Sequence, residues 1–220
     1  MNKFGSFILT LVTVFLLAGC QGFIAGGGKG GRNIKSETRE IYGFKSINAG
    51  NAVNLEITLQ QDFSLTVEAD AEMIDSVKTS VQGETLVINT KNVKPTPGAG
   101  INIKLSMWEL KNLELWGAST VVVTGVKSDS LKIQAAGSSS LKLDGETKKL
   151  DASVIGASTI DAENLKTERT QARATGDSRL TVSVAGELTA DAFGASRVVY
   201  LGDPQIVRQN TVGAGAIVKK

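Results

Sequence analysis

The sequence predicts an all-β chain wound into a right-handed parallel β-helix or a closely related β-solenoid, with coils of about 19 residues and an irregular β cap at the N-terminal end. Three observations predict it. A glycine recurs at nearly constant spacing, the apolar positions line up when the chain is cut at that glycine, and apolar and polar residues alternate around it. An antiparallel sandwich, the nearest alternative, gives no reason for a fixed interval.

From the N-terminus, Lys3 is followed by an apolar run from Phe7 to Leu17 and by Leu17-Ala18-Gly19-Cys20. A positive start, a short apolar stretch and small residues before a cut make a secretory signal. The run is too short for a membrane-spanning helix, which needs about 20 residues. Residues 1–19 are therefore read as a cleaved signal. Cys20 is the only cysteine of the chain, so no intramolecular disulfide can form. The tetrapeptide resembles the bacterial lipoprotein signal, which implies a diacylglyceryl thioether and an N-acyl chain on Cys20. Several acyl chains anchor stably, each buried methylene contributing about 0.8 kcal/mol. Residue 22, a sorting position in such lipoproteins, is Gly rather than Asp, which points to the outer membrane. No acidic cluster follows the cysteine, which favours the periplasmic face over the cell surface. Residues 20–37, with Gly26-Gly27-Gly28-Lys29-Gly30-Gly31, read as a flexible tether. That glycine run is not a phosphate loop, because no Gly-Lys-Ser/Thr follows and no strand precedes it.

Residues 38–220 are read as one β-helical domain, irregular over 38–110 and regular over 111–220. In the irregular part, Phe44, Ile47 and Gly50 to Ile57 look like a first coil one residue short. Phe63 to Glu68 and Thr85 to Asn89 read as strands with a turn at Gln82-Gly83-Glu84. Pro95 to Gly100 is a surface loop by its Pro and Gly content, and Ile101 to Leu105 re-enters the sheet. This part is expected to cap the solenoid, as terminal repeats must.

In the regular part the repeating glycines are Gly117, Gly137, Gly156, Gly176, Gly194 and Gly213, at intervals of 20, 19, 20, 18 and 19 residues. In the first five repeats the second residue after the glycine is Ser: Ser119, Ser139, Ser158, Ser178 and Ser196. Four places after the glycine stand Val121, Leu141, Ile160, Leu180, Val198 and Ile217, all apolar. Two before it stand Leu115, Ala135, Val154, Ala174, Ala192 and Thr211, while the positions three and five before are mostly polar. That alternation is the period-2 mark of half-buried strands. A second punctuation, Gly125, Gly145, Asn164, Gly186 and Gly202, reads as a second turn in each coil, with a residue that tolerates positive φ.

Composition excludes several functions. Histidine is absent. With a single cysteine, Ser/His/Asp and Cys/His catalysis and the common zinc sites are unavailable. No metal site and no cofactor is expected. Without Lys3, 23 basic side chains face 22 acidic ones, a balance with no long-range field to draw nucleic acid.

On Phe44-Lys45-Ser46-Ile47, on Asp62-Phe63-Ser64-Leu65-Thr66-Val67-Glu68-Ala69-Asp70, on Gly83 to Ile88 and on the Gly-Ala-Ser series, residues 38–218 resemble the autotransporter adhesin head domain of the GIN type, found in lipoproteins of Gram-negative bacteria. The resemblance implies a β-helical fold and, by its name, adhesion. It brings no catalytic residues.

Three features are candidate sites. The serine row shares its face with the apolar columns and is read as interior, hydrogen-bonded along the stack. Immediately before each glycine stand Trp116, Ala136, Ile155, Thr175, Phe193 and Val212. Strict alternation points this column outward, and the apolar stripe of Trp116, Ile155, Phe193 and Val212 is then a candidate partner surface, unless the glycine bend turns it inward or the N-terminal segment covers it. Coverage is the expectation. Arg179 and Arg197 fall at one position of adjacent coils and could hold a sulfate, phosphate or uronate of a glycan; neutralisation by Asp161 and Asp177 is expected instead. The functional expectation is a non-enzymatic, lipid-anchored envelope module that presents a groove-poor binding surface to a glycan or envelope protein, with self-association allowed. The alternative is a β-helix polysaccharide lyase or glycosidase, which would need clustered carboxylates.

Overall fold

A computed structural model of the chain describes residues 33–90 and 100–220. The signal segment, Cys20, the glycine run and residues 95–99 of the expected loop lie outside the described residues. The strands are β1 (Ile34–Thr38), β2 (Ser46–Asn51), β3 (Asn54–Leu59), β4 (Ser64–Asp70), β5 (Val77–Gln82), β6 (Thr85–Thr90), β7 (Asn102–Met107), β8 (Asn112–Gly117), β9 (Thr120–Gly137), β10 (Ser140–Gly156), β11 (Thr159–Gly176), β12 (Arg179–Gly194), β13 (Arg197–Leu201), β14 (Ile206–Gly213) and β15 (Ala216–Lys219). A single 3-10 turn, Ile74–Ser76, precedes β5.

These strands form a parallel β-solenoid of about five turns with about 20 residues per turn. Each of β9 to β12 is one nearly complete coil, and each pairs in parallel with the next. The ladder registers reproduce the glycine-based columns. Val121, Leu141, Ile160, Leu180, Val198 and Ile217 are successive partners. So are Leu115, Ala135, Val154, Ala174, Ala192 and Thr211. The columns are buried from Val121 to Val198 and from Leu115 to Ala192. Each large aliphatic side chain so buried stabilises the stack by about 1.5–3 kcal/mol.

The glycine column is where the chain reverses from one face to the next. Gly117, Gly137, Gly156, Gly176, Gly194 and Gly213 all have positive φ, and Asn51 takes the same place at the head of the column with φ 70°. At Gly137 the reason is double: φ is 103°, and a Cβ would sit 2.4 Å from the Gly117 carbonyl oxygen of the coil before. That oxygen accepts a hydrogen bond from the Ser138 N–H at 2.8 Å, so it cannot move aside. The serines that follow are all buried. Ser139 and Ser158 each accept from the backbone N–H of the previous serine, at 3.3 and 3.0 Å. Ser119 donates to the Asn51 carbonyl at 2.8 Å and Ser196 to that of Ala174 at 2.9 Å. The row satisfies backbone groups inside the bend rather than lining a surface.

The second turn is less uniform than the sequence suggests. Gly125, Gly145 and Gly202 have positive φ, but Asn164 and Gly186 are not among the left-handed residues. The cause is a change of coil length. The β10–β11 ladder slips by one residue between Lys142 and Asp144, so that Asn164 faces Asp144 instead of Gly145, and β12 slips twice against β11.

The N-terminal part does cap the stack. β2 and β3 pair in parallel with β8 and β9 and extend both columns, with Ala49 beside Leu115 and Leu55 beside Val121. Beyond them the direction changes: β4 adds antiparallel to β7, β1 to β4, and β5 to β6. Strand β1 occupies Ile34–Thr38, mostly within the segment that the sequence assigns to the tether.

Candidate binding surfaces

The residues before the glycines form one column, with Gly50, Trp116, Ala136, Ile155, Thr175, Phe193 and Val212 as successive partners. Because the two places on either side of the strand alternate without a bulge up to the glycine, the column points outward. Trp116 is 49%, Ile155 50% and Val212 55% exposed, and Phe193 is half-buried. The expected coverage is therefore absent among the described residues: the N-terminal strands continue the sheets at one end instead of folding over the stripe. The stripe runs along the glycine edge, on a face laddered coil to coil from Gly50 to Val212.

Arg179 and Arg197 are direct partners in the β12–β13 ladder and both are exposed. The expected neutralisation does not occur, since among the described residues neither forms an ion pair within 4.0 Å with Asp161, Asp177 or any other acid. Asp161 instead accepts from the Glu163 backbone N–H at 3.1 Å and stabilises its own turn. Asp177 is exposed on the glycine bend. The guanidinium pair points from the other face of the coil than the stripe, three places past the glycine.

The expected groove-poor surface is contradicted at the second turn. A groove of about 600 Å³ runs across several coils, its lining including Lys127, Asp129, Glu146, Lys148, Lys166 and Glu168. It arises because the short segment between the second turn and the next strand forms a third ladder, with Lys127, Glu146 and Lys166 as partners and Ser128, Thr147 and Thr167 beside them. Unlike charges alternate along that ladder, which stabilises it. Lys148 reaches Asp129 at 2.7 Å. The hydrogen bond and the charge of Lys148 hold the Asp129 carboxyl below its ordinary range, and the same contact raises Lys148. The sequence carries these residues in plain view, but only the register puts Lys127, Glu146 and Lys166 side by side. They stand two, one and two places after Gly125, Gly145 and Asn164, so no constant offset in the sequence lines them up. Among the described residues no group of three or more acidic, His or Cys side chains could hold a metal, and no helix is long and apolar enough to cross a membrane.

Solved structures of the same fold exist. A putative adhesin from Bacteroides fragilis superimposes with a TM-score of 0.72 at 17% identity, over 86% of this chain and 98% of its own. A putative lipid binding protein from Parabacteroides distasonis gives 0.54 at 20%, over 86% and 97%. A putative adhesin from Parabacteroides merdae gives 0.52 at 16%, over 86% and 96%. No curated protein matches the chain. A family model described as "Putative auto-transporter adhesin, head GIN domain" matches residues 43–204, and the chain belongs to that family.

Proposed function

We propose that this protein is a lipid-anchored module of the cell envelope that holds a partner against a rigid solenoid face and carries out no chemistry on it. The observation that carries the reading is the uncovered stripe of Trp116, Ile155 and Val212. Aligned apolar groups on a laddered face mark a contact surface, and a surface already ordered loses little entropy on binding. The word adhesin in the descriptions of the family and of the Bacteroides fragilis neighbour agrees with it. Acylated Cys20 anchors the chain in the outer membrane on the periplasmic side, and the glycine run lets the solenoid lie at a distance from the lipid. The partner is an envelope glycan or an envelope protein, and the Arg179–Arg197 pair adds a place for an acidic sugar group.

The test compares the full chain with a Trp116→Ser/Ile155→Ser variant, on a glycan array and in capture from envelope extract. Both substituted side chains are exposed, so the thermal midpoint stays put while capture falls about tenfold or more. Undiminished capture by that variant would sink the reading.

The lyase or glycosidase reading keeps one observation in its favour, the acids and lysines gathered in the second-turn groove. Against it, glycoside chemistry needs a carboxylic acid whose pKa is raised, whereas the Lys148 ammonium at 2.7 Å holds the Asp129 carboxyl below its ordinary range. Polysaccharide turnover that disappears in Glu146→Gln would establish the enzyme instead.

A further inference from the structure

Among the described residues the two main ladders end in four strand edges, and three of them are closed by visible devices. At the N-terminal end, β1 is the edge of one face. Its Lys35 and Glu37 lie opposite Ala69 and Val67 of β4, on the face that elsewhere carries the core. Charges in such positions prevent another strand from adding. The edge of the other face, β5, is covered by Arg39, whose guanidinium donates to the Val77 carbonyl at 2.8 Å and to the Thr79 hydroxyl at 3.0 Å. At the C-terminal end, β15 places Lys219 opposite Tyr200, again on the core side, and Lys219 is tied to Asp203.

The fourth edge, β14, has no such protection. It pairs with β12 on one side, and no described strand pairs with the other. Its core-side residues are Val207, Gln209 and Thr211, opposite the buried Leu188, Ala190 and Ala192. None is charged, and all are exposed. The outward charge of the strand, Arg208, is engaged by Glu187 of the same chain. A row of unpaired backbone donors and acceptors with an uncharged core side asks for an extended strand.

The sequence of β14 suits its own antiparallel copy. With Gln209 facing Gln209 across a two-fold axis, Val207 meets Thr211 on the core side. On the outer side Ile206 meets Val212, both of them exposed apolar groups, and Arg208 meets Asn210. No like charges are opposed, and each Gln209 amide carries both a donor and an acceptor for the other. We infer that β14 is a self-association edge through which two copies of this chain join tail to tail, in an isologous contact that makes one face continuous through both molecules.

Sedimentation velocity of the full chain, with detergent micelles in excess over protein, tests this. The wild type is expected to dimerise with rising concentration. Gln209→Lys places two ammonium groups against each other at the axis and is expected to raise the dimer dissociation constant about tenfold or more, without affecting the fold of an exposed position. Gln134→Lys, on an outward column remote from the edge, controls for added charge and is expected to dimerise like the wild type. A wild type that stays monomeric, a Gln209→Lys dimer as tight as the wild type, or equal weakening by both lysines overturns the inference. Association through acyl chains would survive Gln209→Lys and so counts among the overturning results.

Discussion

The two edges of the coil solve the same problem in opposite ways. At the glycine edge one solution recurs: six glycines are left-handed, the carbonyls of Gly117, Gly137, Gly156 and Gly176 accept from the next coil, and a buried serine follows in five coils. At the second edge nearly every coil differs. The turn is left-handed at Gln60, Gly125, Gly145 and Gly202 but not at Asn164 or Gly186. Side chains take over part of the backbone's work, as where Asp144 accepts from the Gly125 N–H at 2.7 Å. The second bend also packs glycines on the backbone of the coil before, as at Gly145 and Gly202, where a Cβ would sit 2.2 Å from a carbonyl oxygen, but it does not do so in every coil, and so it can lengthen, shorten and change its charges. The groove lies on the edge that is free to vary.

The comparison breaks first if a methyl group is tolerated at the wrong edge. Gly137→Ala meets both a φ of 103° and the Gly117 carbonyl oxygen at 2.4 Å. It should cost about 3 kcal/mol or more, read as a fall in the urea midpoint at unchanged slope. Asn164→Ala, at an exposed residue outside the left-handed region, should stay within about 0.5 kcal/mol of wild type. Comparable losses at the two positions would show that the edges are equally constrained.

A smaller effect sharpens the account of the glycine edge. Ser158 is fully buried and accepts from the Ser139 N–H at 3.0 Å. Ser158→Ala leaves that donor without its partner inside the stack and should cost about 1–3 kcal/mol. Hydrogen exchange at the Ser139 amide should accelerate more than the global loss accounts for. Unchanged protection there would mean that the serines fill space and nothing more.

The difference between the edges also explains what can be read in the amino-acid sequence. Gly117 to Gly213 repeat because each takes a positive φ and, from Gly117 to Gly176, a Cβ would meet the backbone of the coil before within 3.0 Å, so sequence spacing reveals the coil, its columns and the outward sense of Trp116 and Ile155. Strand β1 is hidden because an edge strand with Lys35 and Glu37 on its core side has no apolar alternation to notice. Exposure of the stripe was not legible either, since it depends on where the N-terminal strands go, and they extend the sheets. The groove depends on slips of register that shift Lys166 beside Glu146, and constant-interval alignment cannot anticipate a slip.

The smallest effect concerns the charges of the variable edge. The Lys148 hydrogen bond and charge lower the Asp129 pKa in the folded chain. The contribution of this carboxylate is therefore present above its unfolded value and is lost as pH falls through the folded one. The raised Lys148 behaves in the opposite sense, its contribution being lost as pH rises through its folded pKa. Both groups are exposed, and surface pairs of this kind add little to stability. Lys148→Gln should therefore return the Asp129 carboxyl upward toward its ordinary range in an NMR titration while leaving the urea midpoint where it was. A midpoint that dropped with the pair would mean that ion pairs hold the second turn as firmly as backbone contacts hold the first, and the variability of that edge would then need another cause.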